Sequence, residues 1–263
     1  MAELDDWTCE YNGLVMGRPD SAMSLVAVDG LLSLPDIRTA DLTLVQRHGL
    51  YPGDDYMNGR AVTLTLEVYG KTREEFTAAL SAVYAAFGPA EREKPLRFHF
   101  PGIAGDRTAF VNVRPRKRSS PLDLNFMYHV CNVVIELFAT DPHIYGDQVH
   151  TYTLYSPEPG TDPKYRFTTL GSVPARPVIT LTGTDQTVLK DEVTGRTIGL
   201  AYIGNAVIDA EARTVTSAGT HLEDRIMPGS FWPEYEFGDH RLSLSTKGTS
   251  RTRADFTWRD RWV

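Results

Sequence analysis

The chain has 263 residues, of which 41% are hydrophobic and 23% are charged, a composition typical of a globular protein with one large or two medium domains. The net charge of -7 argues against a general nucleic-acid-binding protein, which usually carries a basic face. No run of about 18 apolar residues is present, and the first residues are acidic, unlike those of a signal peptide. We therefore expect no membrane span, and synthesis in a reducing cytoplasm where Cys9 and Cys131 are thiols.

The segment HGLYPGDDYMNGR, from His48 to Arg60, combines a histidine, two neighbouring aspartates and three glycines. Such a stretch could bind a metal, carry an acid/base pair or form turns. It lacks the alternating acidic residues of a calcium loop, and no nucleophile lies near it in the sequence. Turns at Pro52-Gly53 and Asn58-Gly59 are therefore favoured, and we predict a long loop that leads into a strand.

A half-buried strand is predicted from Ala61 onward, because apolar and polar residues alternate. An amphipathic helix of about four turns follows. Thr72 is expected to be its N-cap, and Glu75 completes a capping box. The helix is predicted to end at Gly88-Pro89. The apolar residues that define the strand and then the helix are Val62, Leu64, Leu66 and Val68, and Phe76, Leu80, Val83 and Phe87.

Two more strands are predicted in the first half of the chain. One alternates apolar residues with Arg97 and His99, and the other is the β-branched segment from Tyr128 to Thr140. The run RPRKRSSP between them, Arg114 to Pro121, is predicted to be a basic hairpin tip or loop. The apolar positions of the two strands are Leu96, Phe98 and Phe100, and His129, Cys131, Val133, Ile135 and Leu137.

The composition changes after Tyr145. Residues 151–175 are rich in Pro, Gly, Ser and Thr and are predicted to connect a first domain, residues 1–150, to a second, residues 176–263. Short strands separated by Gly and Asp turns in the second domain are typical of a small β-sandwich or jelly roll.

No nucleophile elbow, P-loop, HExxH, EF-hand or dinucleotide-binding motif is present, so we expect no catalytic, cofactor-binding or metal-binding residues. The seven histidines are scattered without a tight metal-ligand pair. Trp232, Trp258 and Trp262 could form a carbohydrate-stacking platform in the second domain, but tryptophan is more often a packing residue.

The order of these features resembles that of the distal tail proteins of bacteriophages with long, flexible tails, which are often called minor tail proteins. In the first domain the similar stretches are GLLSLPDIRTAD (Gly30 to Asp41), the loop, strand and capped helix described above, PLRFHFPG, NVRPRKR and ATDPHIYG (Ala139 to Gly146). In the second domain they are GSVPARPVITLTG, IDAEARTV and GSFWPEYEFGDHRLSL. The resemblance spans nearly the whole chain.

The resemblance implies a mainly β fold. Its first domain would be a tail-tube-like β-sandwich or barrel with one flanking α-helix, and its second a galectin-like β-sandwich. It also implies a hexameric ring of the first domain that joins the tail tube to the baseplate or tip of the virion. DNA would pass through the lumen during ejection without specific binding. The implied partners are other copies of this chain, the tail tube protein, and the tail hub, baseplate and tape measure proteins.

The resemblance implies no enzymatic activity and no cofactor. A carbohydrate-binding adhesin acting through Trp232, Trp258 or Trp262 is an alternative, and a cell-wall hydrolase lacks the expected residue pattern. For a ring, we expect subunit contacts in the loop Arg47–Arg60, in the basic run Arg114–Arg118, where arginines can pair with a neighbour's carboxylates, and at Asp141–Tyr145. The candidate contact residues are Arg47, Asp54, Asp55, Arg60, Arg114, Arg116 and Arg118.

Overall fold

The computed structural model describes residues 3–156, 164–247 and 251–263. The chain divides into two compact units, Met1–Asp147 with Val263, and Gln148–Trp262. Both are built from strands, and α1 (Arg73–Ala86) is the one α-helix within the described residues. This confirms the prediction of a mainly β fold with one α-helix. None of the described helices is long and apolar enough to span a membrane.

The strands of the first unit vary from two to eleven residues in length. A 3-10 helix, Leu124–Tyr128, lies in the chain between the strands Ala109–Ser119 and Val130–Ala139. In chain order the strands are β1 (Thr8–Tyr11), β2 (Leu14–Met16), β3 (Met23–Asp29), β4 (Ile37–Arg38), β5 (Leu42–Thr43), β6 (Leu50–Tyr51), β7 (Tyr56–Met57), β8 (Arg60–Tyr69), β9 (Lys94–His99), β10 (Ala109–Ser119), β11 (Val130–Ala139) and β12 (Ile144–Gly146).

The main sheet of the first unit is antiparallel, in the order β2-β1-β9-β10-β11-β8-β3, and it is not closed into a barrel. Strand β10 belongs to both halves of this sheet. Residues 109–113 pair with β9 in one half, and residues 114–119 pair with β11 in the other. An irregularity between Pro115 and Lys117 lets β10 leave one half and continue in the other. This arrangement is consistent with a β-sandwich.

The predicted strand and helix of the first unit are confirmed. The four apolar side chains of β8 are fully buried, and each contributes about 1.5–3 kcal/mol by its removal from water. Thr72 is the N-cap of α1, and its hydroxyl accepts a hydrogen bond from the Glu75 amide. The Glu75 carboxylate accepts from the Lys71 amide, one residue before the cap, and so completes a variant of the predicted capping box.

The strand predicted from Tyr128 to Thr140 begins later, at Val130. The preceding residues form the 3-10 helix, and His129 ends that helix in a left-handed conformation with φ 60°. The predicted apolar positions from Cys131 to Leu137 are buried, whereas His129 lies outside the strand. The alternation of β11 predicted its buried face correctly, but not the residue at which the strand begins.

The second unit contains the remaining strands and a 3-10 helix, Glu223–Arg225. Its strands are β13 (His150–Tyr155), β14 (Lys164–Thr169), β15 (Val178–Asp191), β16 (Thr197–Asp209), β17 (Thr214–Ser217), β18 (Thr220–His221), β19 (Gly238–Thr246), β20 (Arg253–Trp258) and β21 (Arg261–Trp262).

Strand β15 organises the sheet of the second unit. It pairs with β16 along one edge, and on the other edge with β20 and then with β19. The expected connector, residues 151–175, needs correction, because β13 pairs with β20 and β14 pairs with β19 inside this sheet. The polar, Pro-rich composition of the segment hid two strands whose partners lie about 70 to 110 residues away in the chain. Residues 157–163 of the expected connector lie outside the described residues.

Candidate assembly interface

Residues 31–59, between β3 and β8, form a long hairpin that we call the arm. Two short strand pairs hold it together: β4 with β7 near its root, and β5 with β6 near its tip. The Asp41 carboxylate accepts a hydrogen bond from the Gly53 amide at 2.9 Å between the two pairs. The predicted loop from His48 to Arg60 is therefore the returning half of this hairpin.

The arm exposes an unusual amount of apolar surface. Exposed fractions of its large apolar side chains range from 42% at Ile37 to 84% at Val45. Single exposed apolar residues are common on proteins, but a group of them on one projection marks an interaction surface. Sequence reasoning missed this group, although a run dense in Leu, Val and Tyr without strand alternation was visible. The exposed residues are Leu32, Leu34, Ile37, Leu42, Val45, Leu50, Tyr51 and Tyr56.

Arg60 fixes the root of the arm. Its side chain is 1% exposed, and its Nη1 donates to the carbonyl oxygens of Gly30, Leu31 and Ser33 at 2.7 to 3.0 Å. Its Nε donates to the Pro142 carbonyl oxygen at 2.7 Å. The expectation that Arg60 contacts a neighbouring subunit is corrected, because the guanidinium is buried and bonded to its own chain.

Two glycines allow the chain to approach itself closely beside Arg60. Gly30 has φ +87°, and a Cβ atom there would lie 2.0 Å from the Ala61 carbonyl oxygen. A Cβ atom at Gly59 would lie 2.4 Å from the Phe138 ring. Side chains at these positions would displace the backbone of the root. The arm thus has a tightly fixed root and an exposed tip.

The remaining candidates on the arm are exposed. Arg47 lies in the turn between β5 and β6, and Asp54 and Asp55 lie between β6 and β7. His48 is also exposed. Among the described residues, no group of three or more His, Cys, Asp or Glu side chains is placed to hold a metal ion.

The basic run from Arg114 to Arg118 is part of strand β10 and not the predicted hairpin tip or loop. The charges of the run do not predict that it pairs with β11, because β11 follows only after the 3-10 helix in the chain. Arg114 is half-buried, and the Arg116 guanidinium lies 5.3 Å from the centre of the Phe138 ring. Lys117 forms an exposed ion pair with Glu136 at 3.0 Å.

Arg118 has a role that sequence reasoning did not identify. Its guanidinium lies 4.0 Å from the centre of the Tyr84 ring and donates to the carbonyl oxygens of Tyr84 and Phe87. These carbonyls belong to the end of α1, where an arginine satisfies unpaired acceptors. The last turn of α1 contains no basic residue. This was the one sign in the sequence that a basic side chain from elsewhere could bind the carbonyl groups at the end of the helix.

A groove of about 440 Å³ lies between α1 and the 3-10 helix, and we call it the helix groove. Its floor includes Phe76, which packs edge-on against Phe126 at 5.0 Å between ring centres. The segment beside the groove is highly exposed: Leu122, Leu124, Met127 and Tyr128. The lining residues are Arg73, Phe76, Thr77, Leu80, Ser81, Tyr84, Phe126, Met127 and His129.

Asp141 and its neighbours form a hydrogen-bonded cluster beside the arm root. The Asp141 carboxylate contacts His143 Nδ1 at 2.6 Å and accepts from the Tyr145 hydroxyl at 2.6 Å. Burial disfavours the ionised form of Asp141, but these hydrogen bonds outweigh it and lower its pKa to about 2. The predicted site at Asp141–Tyr145 is therefore a local structural cluster next to Pro142, which Arg60 contacts.

One face of the strands β10, β11, β8 and β3 is polar, and we call it the open face. Along β8 it presents Thr63, Thr65 and Glu67, opposite the buried apolar side chains. Glu67 is paired with Asn132, and Thr63 is paired with Glu136 on one side and Asp29 on the other. The carboxylates of Asp29, Glu67 and Glu136 share this face with basic residues, because Lys117 pairs with Glu136, Arg114 pairs with Phe138 and Arg116 stacks on Phe138.

The tryptophans of the second unit do not form an exposed platform. Trp258 is 5% exposed and packs against Phe167 at 4.7 Å and His150 at 5.3 Å between ring centres. It belongs to the core of the unit, whereas Trp232 and Trp262 are half-buried. The alternative of a carbohydrate site at Trp258 is not supported, because its ring is covered by other aromatic side chains, as expected of a packing residue.

Comparison with solved structures identifies the fold. The crystal structure of the SPP1 Dit protein, a paradigm of the hub adsorption apparatus in phages that infect Gram-positive bacteria, matches with a TM-score of 0.65 and 14% identity over 97% of this chain and 99% of that chain. The activated phage P2 baseplate with Ca has a TM-score of 0.45 and 8% identity over 98% of both chains. The same baseplate with Sr has a TM-score of 0.45 and 8% identity over 95% of this chain and 96% of that chain.

No protein-family model matches the sequence, and no curated protein is significantly similar to it. The structural neighbours are phage Dit and baseplate proteins, as the resemblance in the sequence implied. The chain has the fold of SPP1 Dit over nearly its whole length.

Proposed function

We propose that this chain is a structural subunit of a phage tail tip, and that it forms a ring between the tail tube and the baseplate. The observation that carries the proposal is the arm, with eight large apolar side chains that its own chain leaves exposed. Burial of apolar surface is the main driving force of protein association. Contacts with other chains therefore account for these residues, which the fold of one chain does not.

The fold supports the same proposal. SPP1 Dit, which has this fold, is a hub protein of an adsorption apparatus. When one surface of a subunit binds a different surface of the next copy, repeated copies form a closed ring if the rotation between neighbours adds up to a full turn. The proposed number of six copies comes from the resemblance to distal tail proteins.

The open face is the proposed lining of the ring's channel. It carries Asp29, Glu67 and Glu136 together with Arg114, Arg116 and Lys117, among threonines and an asparagine. A lining of arginine and lysine alone would bind the phosphates of DNA, whereas on this face carboxylates stand among the basic side chains and repel them. Such a face would let the genome pass during ejection without specific binding.

The proposed partners are other copies of the chain, the tail tube protein, and the hub, baseplate and tape measure proteins. The proposed location is the virion, and the proposed role is assembly without catalysis. For the second unit we propose a galectin-like structural domain. The burial of Trp258 and the partial burial of Trp232 and Trp262 do not favour carbohydrate stacking there.

The proposal is tested by the oligomeric state of the purified chain, measured by analytical ultracentrifugation and negative-stain microscopy, alone and mixed with its tube and hub proteins. We expect rings for the native sequence and loss of rings for the double substitution Leu42→Ser with Leu50→Ser. The matched control replaces two exposed apolar residues of the second unit, Val193→Ser with Ile203→Ser, and should still form rings.

Two results would contradict the proposal. One is a chain that stays monomeric at high concentration and in the presence of the tube and hub proteins. The other is an arm variant that assembles as well as the control. Circular dichroism and thermal unfolding of each variant establish that it is folded.

A further inference from the structure

We propose that the arm of one copy docks into the helix groove of the neighbouring copy. This inference rests on the proposed ring and names the two surfaces that meet in it. The arm and the helix groove are different surfaces of the same unit. Each copy therefore gives one and receives the other, which is the head-to-tail arrangement that generates rings.

The two surfaces match in polarity. The groove has an aromatic floor, formed by Phe76 and Phe126, and an exposed thioether at Met127, which is 76% exposed. Methionine and aromatic side chains are enriched where proteins bind apolar partners. The arm supplies leucine, valine and tyrosine side chains in two-residue strands, which are narrow enough to lie along a groove.

The charges of the two surfaces are also complementary. The arm contains four aspartates and two arginines, so its net charge is negative. The residues that line the groove include Arg73 and no carboxylate. Beyond the end of α1, a second cavity of about 290 Å³ is lined by Arg116, Lys117 and Arg118, among other residues. An acidic arm is therefore attracted to a groove with cationic ends.

The arm does not occupy the groove of its own copy. Leu42, Leu50 and Tyr51 at its tip are 56% to 65% exposed, and Met127 in the groove is exposed as well. Both surfaces are thus unoccupied within one chain. Binding of a second copy covers both surfaces, because the arm of one copy then lies in the groove of the other.

Disulfide crosslinking between two variants that each carry one introduced cysteine tests this contact. Tyr51→Cys or Leu42→Cys places a thiol on the arm, and Ser81→Cys or Met127→Cys places one on the groove. The native Cys9 and Cys131 are buried, and burial raises the pKa of Cys9 to about 12, so neither competes under mild oxidation. We expect crosslinked dimers when an arm variant is mixed with a groove variant, and none with either alone.

The control mixture combines Tyr51→Cys with Val193→Cys, an exposed position of the second unit, and should give no crosslink. Rings that form without an arm-to-groove crosslink for any of the four pairings, or with arm-to-arm crosslinks, would overturn this inference and leave the proposed function intact. A chain that forms no ring under any of the conditions above would overturn both.

Discussion

The arm and the strand β8 are neighbours in the sequence and both contain several large apolar residues, yet these side chains have opposite environments. Val62, Leu64, Leu66 and Val68 of β8 are fully buried. In the arm, which ends just before β8, eight large apolar residues are between 42% and 84% exposed. Strand β8 lies between β11 and β3 and pairs with both, whereas the arm strands pair only with each other.

This difference separates residues that stabilise the fold of one chain from residues for which we propose a role in assembly. The apolar residues of β8 gain free energy from the fold of one chain. Those of the arm gain little until another surface covers them. Substitutions in the two regions should therefore affect different measurements: unfolding for β8, and association for the arm.

The largest expected effect on stability comes from a matched pair of leucine substitutions. Leu64→Ala in β8 is expected to lower the free energy of unfolding of the first unit by about 3 kcal/mol, because it leaves a cavity in the core. Leu50→Ala in the arm is expected to change it by less than about 0.5 kcal/mol. Chemical denaturation of the monomer measures both. Equal losses would show that the arm is part of the folded core.

The sequence predicted the elements whose signals are local. The alternation in β8, and the spacing of Phe76 and Val83 behind the cap at Thr72, each lie within one element and needed no knowledge of its partners. The structure confirms them. The order of such elements was also sufficient for the resemblance to distal tail proteins.

The candidate site was predicted less well, because its residues depend on distant partners. The sequence predicts Arg60 to contact a neighbouring subunit, whereas its guanidinium is buried and binds carbonyl groups up to 82 residues away. The basic run around Arg116 is predicted to be a hairpin tip or loop and not a strand, because its partner β11 follows a 3-10 helix that no sequence pattern indicates. The exposure of the arm leucines could not be predicted either, since composition does not distinguish a covered strand from an uncovered one.

The next largest effect is expected at the junction of the two regions. Arg60→Met removes the guanidinium that binds four carbonyl oxygens at the arm root. Unsatisfied buried acceptors cost about 1–3 kcal/mol, so we expect a loss of about 2 kcal/mol and faster proteolysis of the arm. Arg60→Lys keeps the charge and should lose less. Unchanged proteolysis in Arg60→Met would show that the arm is held by other contacts.

A smaller, pH-dependent effect is expected from Asp141, beside the same root. Its pKa is lowered to about 2, so its contribution to stability is present above the ordinary value near 4 and is lost as the pH falls towards 2. The carboxylate is 41% exposed, and solvent screening reduces the expected contribution to about 1 kcal/mol. The difference in unfolding free energy between the native chain and Asp141→Asn should therefore shrink between pH 4 and pH 2. A constant difference over that range would contradict the role of the ionised carboxylate.

The smallest effect on monomer stability is expected at the acidic positions of the arm. Asp54 and Asp55 are exposed, so replacing both by asparagine should change the free energy of unfolding by less than about 0.5 kcal/mol. If they face cationic residues of a neighbouring copy, the same substitution should weaken ring assembly at low salt and flatten its salt dependence. The control, Asp20→Asn with Glu91→Gln, removes the same charge at exposed positions outside the arm. The arm variant and the control variant have the same net charge, so only a local contact of the arm distinguishes them. If the salt dependence of assembly changes equally in both, the effect is due to net charge and not to the arm.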